Sequence, residues 1–219
     1  GHLNLLKTEK YNDVKLDFCY GTTNPNNSPK TLQQQEQIWE KDYLKIIQHC
    51  LECEPRVGRN GTTFSCFQKN IHVDLSRGFP VMTTKKLYWK GVVEELLFFL
   101  KGNTDSQLLS ANNVRIWDAN TTREFLDLRG LEHYDIGDMG PMYGWNWRHF
   151  GAEYNGKDHN YSGLGFDQLK DVISKIINDP TNRRIMMTTF DPSKVSESVL
   201  APCHSIVLQF YVDGDNLDM

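Results

Sequence analysis

A cysteine beside a histidine near the end of the printed sequence is the first candidate for chemistry. Cys203 follows Pro202 and precedes a run rich in β-branched and aromatic residues, Ser205 to Val212. Because proline restricts its neighbour to extended geometry, we expect Cys203 to lie where the chain enters a strand. A thiol at that place, beside His204, can serve as a nucleophile. A small buried hydrophobic residue is the structural alternative, and this stretch alone does not distinguish the two.

An apolar stretch with two acids in its middle is the second candidate. The segment from Val92 to Leu100 is apolar almost all round apart from Glu94 and Glu95, so we expect a buried helix. Burial disfavours a charged carboxylate, which makes such an acid a candidate proton-transfer group. The structural alternative is an acid paired with a buried arginine.

Two segments with arginines could bind an anion. Arg56 and Arg59 lie in a loop of glycines and hydroxyl residues, whose amide and guanidinium groups can hold a phosphate. A solvated turn explains this loop equally well. Arg183 and Arg184 precede a predicted strand, and adjacent residues of a strand point to opposite faces. One of these two can therefore bind an anion while the other is structural.

Two predicted loops carry aromatic side chains, and the second is dense in them. One holds Trp117 near Asn120, and the other, residues 137–148, combines glycines with Trp145 and Trp147. Aromatic side chains on a loop suit a wall against which a flat ring can stack. Core packing explains the same density equally well.

Composition limits the classes of protein that this chain can belong to. With 39% hydrophobic and 11% aromatic residues, the 219-residue chain can form the core of one large domain or two small ones. A net charge of −4 gives no general attraction for nucleic acid or an anionic membrane, so an anionic ligand requires a local cluster of arginines. No apolar run reaches the roughly 18 residues of a membrane-spanning helix.

Cysteine usage favours a reducing, cytoplasmic setting, because the five cysteines are odd in number and lack the spacing of a disulfide framework. Cys50 and Cys53 form a C-x-x-C pair beside His49, which a metal or redox site could use. No second pair supplies further ligands. We therefore expect both thiols to pack on the last turn of a helix, with no bound metal.

Hydrophobic periodicity and turn residues outline the remaining elements. Residues 1–34 are polar and resemble an extension or linker, and we expect the folded domain to begin at residue 35. The predicted elements are an amphipathic helix over 35–52, a strand over 64–75, a helix begun by the capping box of residues 121–124, a helix over 166–177 and a strand over 185–190.

Several short segments, in this order, resemble the thymidylate synthase family over roughly residues 37–218. They are Gly78–Lys86, Trp89–Leu97, Ile116–Asn120, Gly140–Gly144, Trp147–Tyr154, Asn182–Ile185 and Pro202–His204. The resemblance implies an α/β (α+β) fold, with a large mixed β-sheet flanked by helices and a sheet-to-sheet homodimer. It also implies a methyltransferase that converts dUMP to dTMP with 5,10-methylenetetrahydrofolate as co-substrate.

The resemblance assigns a role to individual residues. The implied catalytic residues are the nucleophile Cys203, the general acid/base Glu95, and Tyr143 beside the C5 proton. The implied substrate-binding residues are Arg59, Arg183, Arg184, His204 and Gln209. The implied folate-binding residues are Trp117, Asn120, Ile116 and Lys85. Arg183 and Arg184 match a pair that reaches the phosphate from the other subunit, and Arg184 also matches the cation expected to favour the Cys203 thiolate.

The chain departs from the family pattern at four places. Ala201-Pro202 replaces the usual two prolines before the cysteine, Asn146 replaces a glutamine, and the Arg59 loop is shorter than usual. The fourth departure is that Met219 precedes the segments that carry the remaining phosphate, uracil and deoxyribose contacts. We therefore expect residues 35–219 to be a synthase domain truncated at its C-terminal end. A fused dihydrofolate reductase domain ahead of residue 1 is consistent with the linker.

Two alternatives remain open at the level of sequence. A dCMP hydroxymethylase-type relative would use the same cysteine and glutamate and differ at the asparagine that selects the pyrimidine, which is beyond Met219. The chain could also be a catalytically inactive fragment that acts as an assembly module. The segments around Trp117 and Arg148 fit the synthase better than the hydroxymethylase.

Overall fold

The computed structural model describes residues 38–58 and 61–219, in two compact units, one ending at Leu87 and the other running from Tyr88 to Met219. The helices are α1 (Ile38–Leu51), α2 (Trp89–Leu100), α3 (Gln107–Ala111), α4 (Arg123–Leu128), α5 (Gly144–His149) and α6 (Gln168–Asn178). Single 3₁₀ turns lie at Leu75–Arg77, Asp118–Asn120 and Val195–Glu197. The strands are β1 (Pro55–Gly58), β2 (Gly61–Phe64), β3 (Met186–Thr188), β4 (Val207–Gln209), β5 (Tyr211–Asp213) and β6 (Asn216–Asp218).

In the first unit, helix α1 confirms the predicted amphipathic helix, and its first turn is anchored by a buried acid. Glu40 accepts hydrogen bonds from the amides and hydroxyls of Thr83 and Thr84, at 2.7–3.0 Å. These bonds, led by the one from the Thr84 amide, lower the pKa of Glu40 to about 2. The carboxylate therefore stays charged and fixes the start of α1 to this loop.

The remainder of the first unit contains a hairpin and little other regular structure. Strands β1 and β2 pair antiparallel, from Pro55 opposite Phe64 to Gly58 opposite Gly61. The strand predicted over residues 64–75 is wrong, because β2 ends at Phe64. Asp74 instead accepts a hydrogen bond from the Ser76 amide at 3.0 Å and caps the 3₁₀ turn.

The core of the second unit lies around α5, which packs against both α2 and α6. Trp145 and Trp147 belong to α5 and are only 1% and 5% exposed. Core packing is therefore the correct explanation for these two tryptophans, and a ring-stacking wall is wrong. Helix α2 is less buried than predicted, because Val92 and Leu96 are 46% and 47% exposed.

Local caps define the ends of the other helices in this unit. Thr122, one residue later than the predicted start of the capping box, accepts a hydrogen bond from the Phe125 amide and begins α4. Asp167 caps α6 by accepting from the Lys170 amide at 2.9 Å, and α6 confirms the helix predicted over 166–177.

Strands are short throughout the part of the chain that the structure describes. Strand β3 confirms the strand predicted over 185–190 and pairs antiparallel with β4, while β5 pairs with β6. The described ranges thus contain three two-stranded sheets, and the large mixed sheet stays a prediction. Within the same ranges, no helix combines the length and apolar character that crossing a membrane requires.

Candidate active site

Glu95 lies half-buried on α2, and a tryptophan fixes its carboxylate. The indole Nε1–H of Trp117 donates a hydrogen bond to Glu95 Oε1 at 2.7 Å. Trp117 is itself placed by the 3₁₀ turn that follows it, at Asp118–Asn120. A carboxylate held by one charge-assisted hydrogen bond keeps its second oxygen available to a ligand or a water.

Tyr143 is positioned by a close approach of two helices. A Cβ atom on Gly144 would lie only 2.2 Å from the carbonyl oxygen of Phe99, so α5 can begin against α2 only because residue 144 is glycine. The ring of Tyr143 stacks on Phe99, with centroids 4.6 Å apart and planes 9° apart. The edge of Trp117 faces the same tyrosine, at a centroid distance of 6.0 Å.

Tyr143 joins the two candidate segments, because its hydroxyl also contacts Cys203. The Cys203 amide donates a hydrogen bond to Tyr143 Oη at 3.2 Å, and Cys203 Sγ lies 3.7 Å from the same oxygen. Tyr143 has φ +45°, a backbone conformation that non-glycine residues rarely adopt. Such strain is typical of functional positions and is consistent with a precisely placed hydroxyl.

Burial keeps this tyrosine protonated. Removal from water is the largest effect, and the pKa of Tyr143 rises to about 12 although the hydrogen bond from the Cys203 amide lowers it. The Cys203 thiol and Glu95 add smaller effects that raise it. At neutral pH the phenol is therefore uncharged and can donate its proton in a hydrogen bond while it accepts one from the Cys203 amide.

Cys203 itself is exposed, although it lies before the strand rather than at its first residue. Strand β4 begins only at Val207, so the strand entrance predicted at Cys203 is four residues too early. The ring of His204 packs on Tyr143 with centroids 4.7 Å apart. The structure thus brings together Cys203, His204, Tyr143, Trp117 and, through Trp117, Glu95.

A buried threonine holds the segment that follows Cys203. Thr189 is fully buried, and its amide donates to the Ile206 carbonyl at 3.0 Å. Its hydroxyl donates to the Ser205 carbonyl and accepts from Trp147 Nε1 at 2.7 Å. These hydrogen bonds connect the core helix α5 to the backbone two residues beyond the thiol.

The same network includes Asn146, one of the departures from the family pattern. Its Nδ2 donates to the Thr189 carbonyl at 2.8 Å and, more weakly, to the Pro141 carbonyl at 3.3 Å. Its buried Oδ1 has no hydrogen-bond partner within the described ranges. Asn146 therefore acts here as a donor that fixes β3 to α5.

Replacing Thr189 with valine should destabilise the second unit. The change keeps the shape of the side chain but leaves the Trp147 Nε1–H and the Ser205 carbonyl without a partner, at a cost of about 1–3 kcal/mol. We expect the free energy of unfolding in urea to fall by that amount. Thr189→Ser, which keeps the hydroxyl, is the matched control and should lose less. Equal losses in the two variants would contradict this role of the hydroxyl, because Thr189→Ser keeps it and lacks only the methyl group.

Three other predicted site residues lie in the second unit but outside these contacts. Asn120 is half-buried at the end of its 3₁₀ turn, and Ile116 is 44% exposed. Gln209 is exposed on β4 opposite Met186. All three stay predictions as ligand contacts.

Arg183 and Arg184, two of the predicted phosphate-binding arginines, make no side-chain hydrogen bond to Cys203 among the described residues. Arg183 and Arg184 are exposed in the turn between α6 and β3, where the Arg184 amide donates to Asn182 Oδ1 at 2.8 Å. Arg59 lies outside the described residues. Lys85 is an exposed residue of the first unit.

Three residues that position the site were not predicted from the sequence. They are Phe99, Gly144 and Thr189, and none of them takes part in the proposed reaction. For Gly144 a signal existed, since a glycine directly after a candidate tyrosine marks a possible close backbone approach. Phe99 and Thr189 carry no such signal, because an apolar helix residue and a strand threonine are ordinary in sequence.

Comparison with known proteins identifies the family. A sequence model described as "Thymidylate synthase" matches residues 41–219. The chain is 48% identical over 181 residues to the thymidylate synthase of Ascaris suum and 47% identical over 180 residues to that of Homo sapiens, each alignment covering 81% of this chain. It is 42% identical over 207 residues, 94% of its length, to a bifunctional dihydrofolate reductase-thymidylate synthase of Zea mays.

The chain spans 61%, 57% and 39% of these relatives' lengths, respectively. The family match nevertheless extends over the whole second unit, and so over every contact of the site described above. The chain belongs to the thymidylate synthase family.

Proposed function

We propose that this protein is a thymidylate synthase, a methyltransferase that converts dUMP to dTMP. The observation that supports this most strongly is the cluster of a thiol, a buried phenol and a tryptophan-held carboxylate around Tyr143. The nucleophile Cys203 and the proton-transfer group Glu95 are thus connected through Tyr143 and Trp117. This arrangement suits a reaction in which sulfur bonds to a substrate ring while protons are added to and removed from that ring.

Cys203 begins the reaction. Its thiolate adds to C6 of the pyrimidine, and the electrons of the C5–C6 double bond move toward O4, so that C5 becomes an enolate-like nucleophile. C5 then attacks the methylene carbon of the folate and afterwards loses its proton. Loss of that proton breaks the bond between the methylene carbon and the folate nitrogen, so tetrahydrofolate leaves and C5 carries an exocyclic methylene. Tetrahydrofolate then gives a hydride to this methylene and becomes dihydrofolate, and the thiolate of Cys203 is expelled as the C5–C6 double bond forms again.

Glu95 is the proposed general acid/base, which acts with ordered water on O4 and on the folate. The hydrogen bond from Trp117 supports this role because it fixes one oxygen and leaves the other for proton transfer. Tyr143 is the proposed contact of the C5 proton and of the water that removes it, and its position as a neutral phenol beside the thiol supports this role.

Residues near Trp117 form the proposed folate site. Trp117 already faces the Tyr143 ring at 6.0 Å, so a folate ring near it would lie next to the reacting carbon. Ile116 offers an exposed apolar side chain on the same segment, and Asn120 a polar one. Lys85, which belongs to the first unit, stays a prediction from the family resemblance for the glutamate tail.

We further propose a homodimer built on a large mixed sheet, with sheet packed against sheet. The exposure of Arg183 and Arg184 supports their use by a neighbouring subunit, where they would bind the phosphate of dUMP together with Arg59. His204, whose ring packs on Tyr143, and Gln209 complete the proposed nucleotide contacts.

Mixing two inactive variants tests the shared site. Arg184→Ala and Cys203→Ser dimers should each be inactive. Random subunit exchange at equal amounts should restore about a quarter of wild-type activity, since half of the dimers are mixed and each has one intact site. Glu95→Gln mixed with Cys203→Ser is the control, because both residues belong to the same chain's site, and it should show no recovery. Equal recovery in both mixtures would argue against an arginine contributed by the partner.

We propose that the protein acts in the cytoplasm. We also propose that the same polypeptide carries a dihydrofolate reductase domain. The free thiols of Cys50, Cys53, Cys66 and Cys203 support a reducing compartment. The relative from Zea mays, whose printed name includes a dihydrofolate reductase, supports the second proposal.

The direct assay is to incubate the full-length protein with dUMP and methylenetetrahydrofolate and to quantify both products by chromatography. We expect dTMP and dihydrofolate in equal amounts. Product from dCMP without dihydrofolate would instead indicate the hydroxymethylase, because hydroxymethylation consumes no hydride. No product from either nucleotide would favour an inactive assembly module and overturn the proposal.

A further inference from the structure

The first unit contains a cluster of thiols that the proposed chemistry does not use. Cys50 Sγ and Cys66 Sγ lie 3.3 Å apart, and both residues are half-buried. Cys50 belongs to the last turn of α1, and Cys66 lies two residues beyond the end of β2. Two elements separated in sequence thus place their sulfur atoms in direct contact.

This separation is close to that of a covalent bridge. A disulfide requires a sulfur–sulfur distance of about 2.05 Å, which a small rotation of either cysteine side chain can supply from direct contact. The third thiol of the cluster has a different partner, because Cys53 Sγ donates to the carbonyl oxygen of His49 at 3.3 Å. Cys50 and Cys66 are therefore the pair that the geometry favours.

We propose that Cys50 and Cys66 form a reversible disulfide by exchange with a low-molecular-weight disulfide such as glutathione disulfide. The inference concerns the first unit alone and does not depend on the proposed function. It assigns a modification site to Cys50, whose place on the last helical turn predicts packing alone, and to Cys66.

The exchange takes place in two balanced steps. The thiolate of one cysteine attacks glutathione disulfide, forms a mixed disulfide and releases one glutathione thiolate. The second cysteine, after losing its proton, attacks the protein sulfur of that mixed disulfide and releases the second glutathione. The two cysteines lose two electrons and two protons in all, and one glutathione disulfide becomes two molecules of glutathione. Hydrogen bonding with Cys50 raises the pKa of the Cys66 thiol, because it stabilises the protonated form.

The bridge would close the chain around the β1–β2 hairpin. Both strands of this hairpin are exposed along their whole length, so few packing contacts hold them. A covalent link from the end of α1 to the segment after β2 would restrict the hairpin when the cell is oxidised and release it when the bridge is reduced.

Peptide mapping tests this inference directly. The full-length protein is treated with excess glutathione disulfide, its free thiols are alkylated, and it is digested with trypsin without reduction. Trypsin places Cys50 and Cys53 on residues 46–56 and Cys66 on residues 60–69. We expect these two peptides to be linked, with a mass about 2 Da below their sum, and to separate after dithiothreitol.

A matched variant decides which cysteine takes part. Cys53→Ser should keep the link at the wild-type level, and fragmentation of the wild-type linked peptide should place the bond at Cys50. Alkylation of both peptides with no link would overturn the inference. A link that disappears in Cys53→Ser, or that fragmentation assigns to Cys53, would overturn it as well.

Discussion

Cys203→Ser should lower the rate of dTMP formation by about 1,000-fold or more, because a serine hydroxyl is not ionised at neutral pH and adds poorly to C6. The exposed thiol lies 3.7 Å from Tyr143 Oη, and a serine oxygen can occupy the same place. Binding of dUMP, measured by calorimetry, should therefore change little while turnover is lost. The measurement is the initial rate of dihydrofolate formation at saturating dUMP.

The control for this prediction is Cys53→Ser, which removes a thiol that the proposed reaction does not use. We expect its rate to match that of the unmodified protein under reducing conditions. If the Cys203→Ser variant is as active as Cys53→Ser, the Cys203 thiolate is not the nucleophile of the reaction.

Glu95→Gln should slow turnover by about 100-fold and leave dUMP binding largely intact. In the unmodified protein, Trp117 Nε1 donates to Glu95 Oε1 at 2.7 Å. Glutamine has nearly the same shape, and its Oε1 can still accept this hydrogen bond. The site geometry should therefore survive while proton transfer is lost. Comparison of kcat with the dissociation constant for dUMP separates these two effects.

Glu94 provides the matched control, because it is the neighbouring half-buried acid on the same helix. Glu94→Gln removes the same charge but no proposed proton transfer, so its kcat should stay within a few-fold of the unmodified protein. Equal losses in the two variants would mean that the helix needs its charges for folding rather than for catalysis.

The parts of the fold that could be predicted are those determined by local periodicity. Helices α1 and α6 each have one apolar face along a single stretch of chain, and both were predicted with nearly correct ends. Strand β3 follows from its β-branched and apolar run. In these elements the pattern and the structure depend on the same neighbouring residues.

The sequence predictions were wrong where the structure of a segment depends on residues distant in sequence or on a single capping side chain. The segment after Phe64 alternates like a strand, but Asp74 instead accepts from the Ser76 amide and caps a turn. The sequence allowed Trp145 and Trp147 to form a wall against which a ligand ring could stack. The packing of α5 against α2 and α6 shows that they belong to the core.

The candidate site shows the same limit more clearly. Tyr143 and Cys203 are 60 residues apart, and Trp117 lies 22 residues from Glu95. No spacing rule predicts such contacts, so these residues could be grouped only through the family resemblance. The supports of the site, Phe99, Gly144 and Thr189, depend on interhelical distances and hydrogen bonds that become visible only in the folded chain.

If Cys203 adds to C6 and so makes C5 reactive, the hydrogen at C5 must be released, and its release measures this proposed step. Full-length protein is incubated with dUMP that carries deuterium at C5 and with methylenetetrahydrofolate, and deuterium in water is compared with dTMP formed. We expect one deuterium released for each dTMP, and none above background from Cys203→Ser. Release by Cys203→Ser at the rate of the unmodified protein, or dTMP formed with its C5 deuterium retained, would contradict the account.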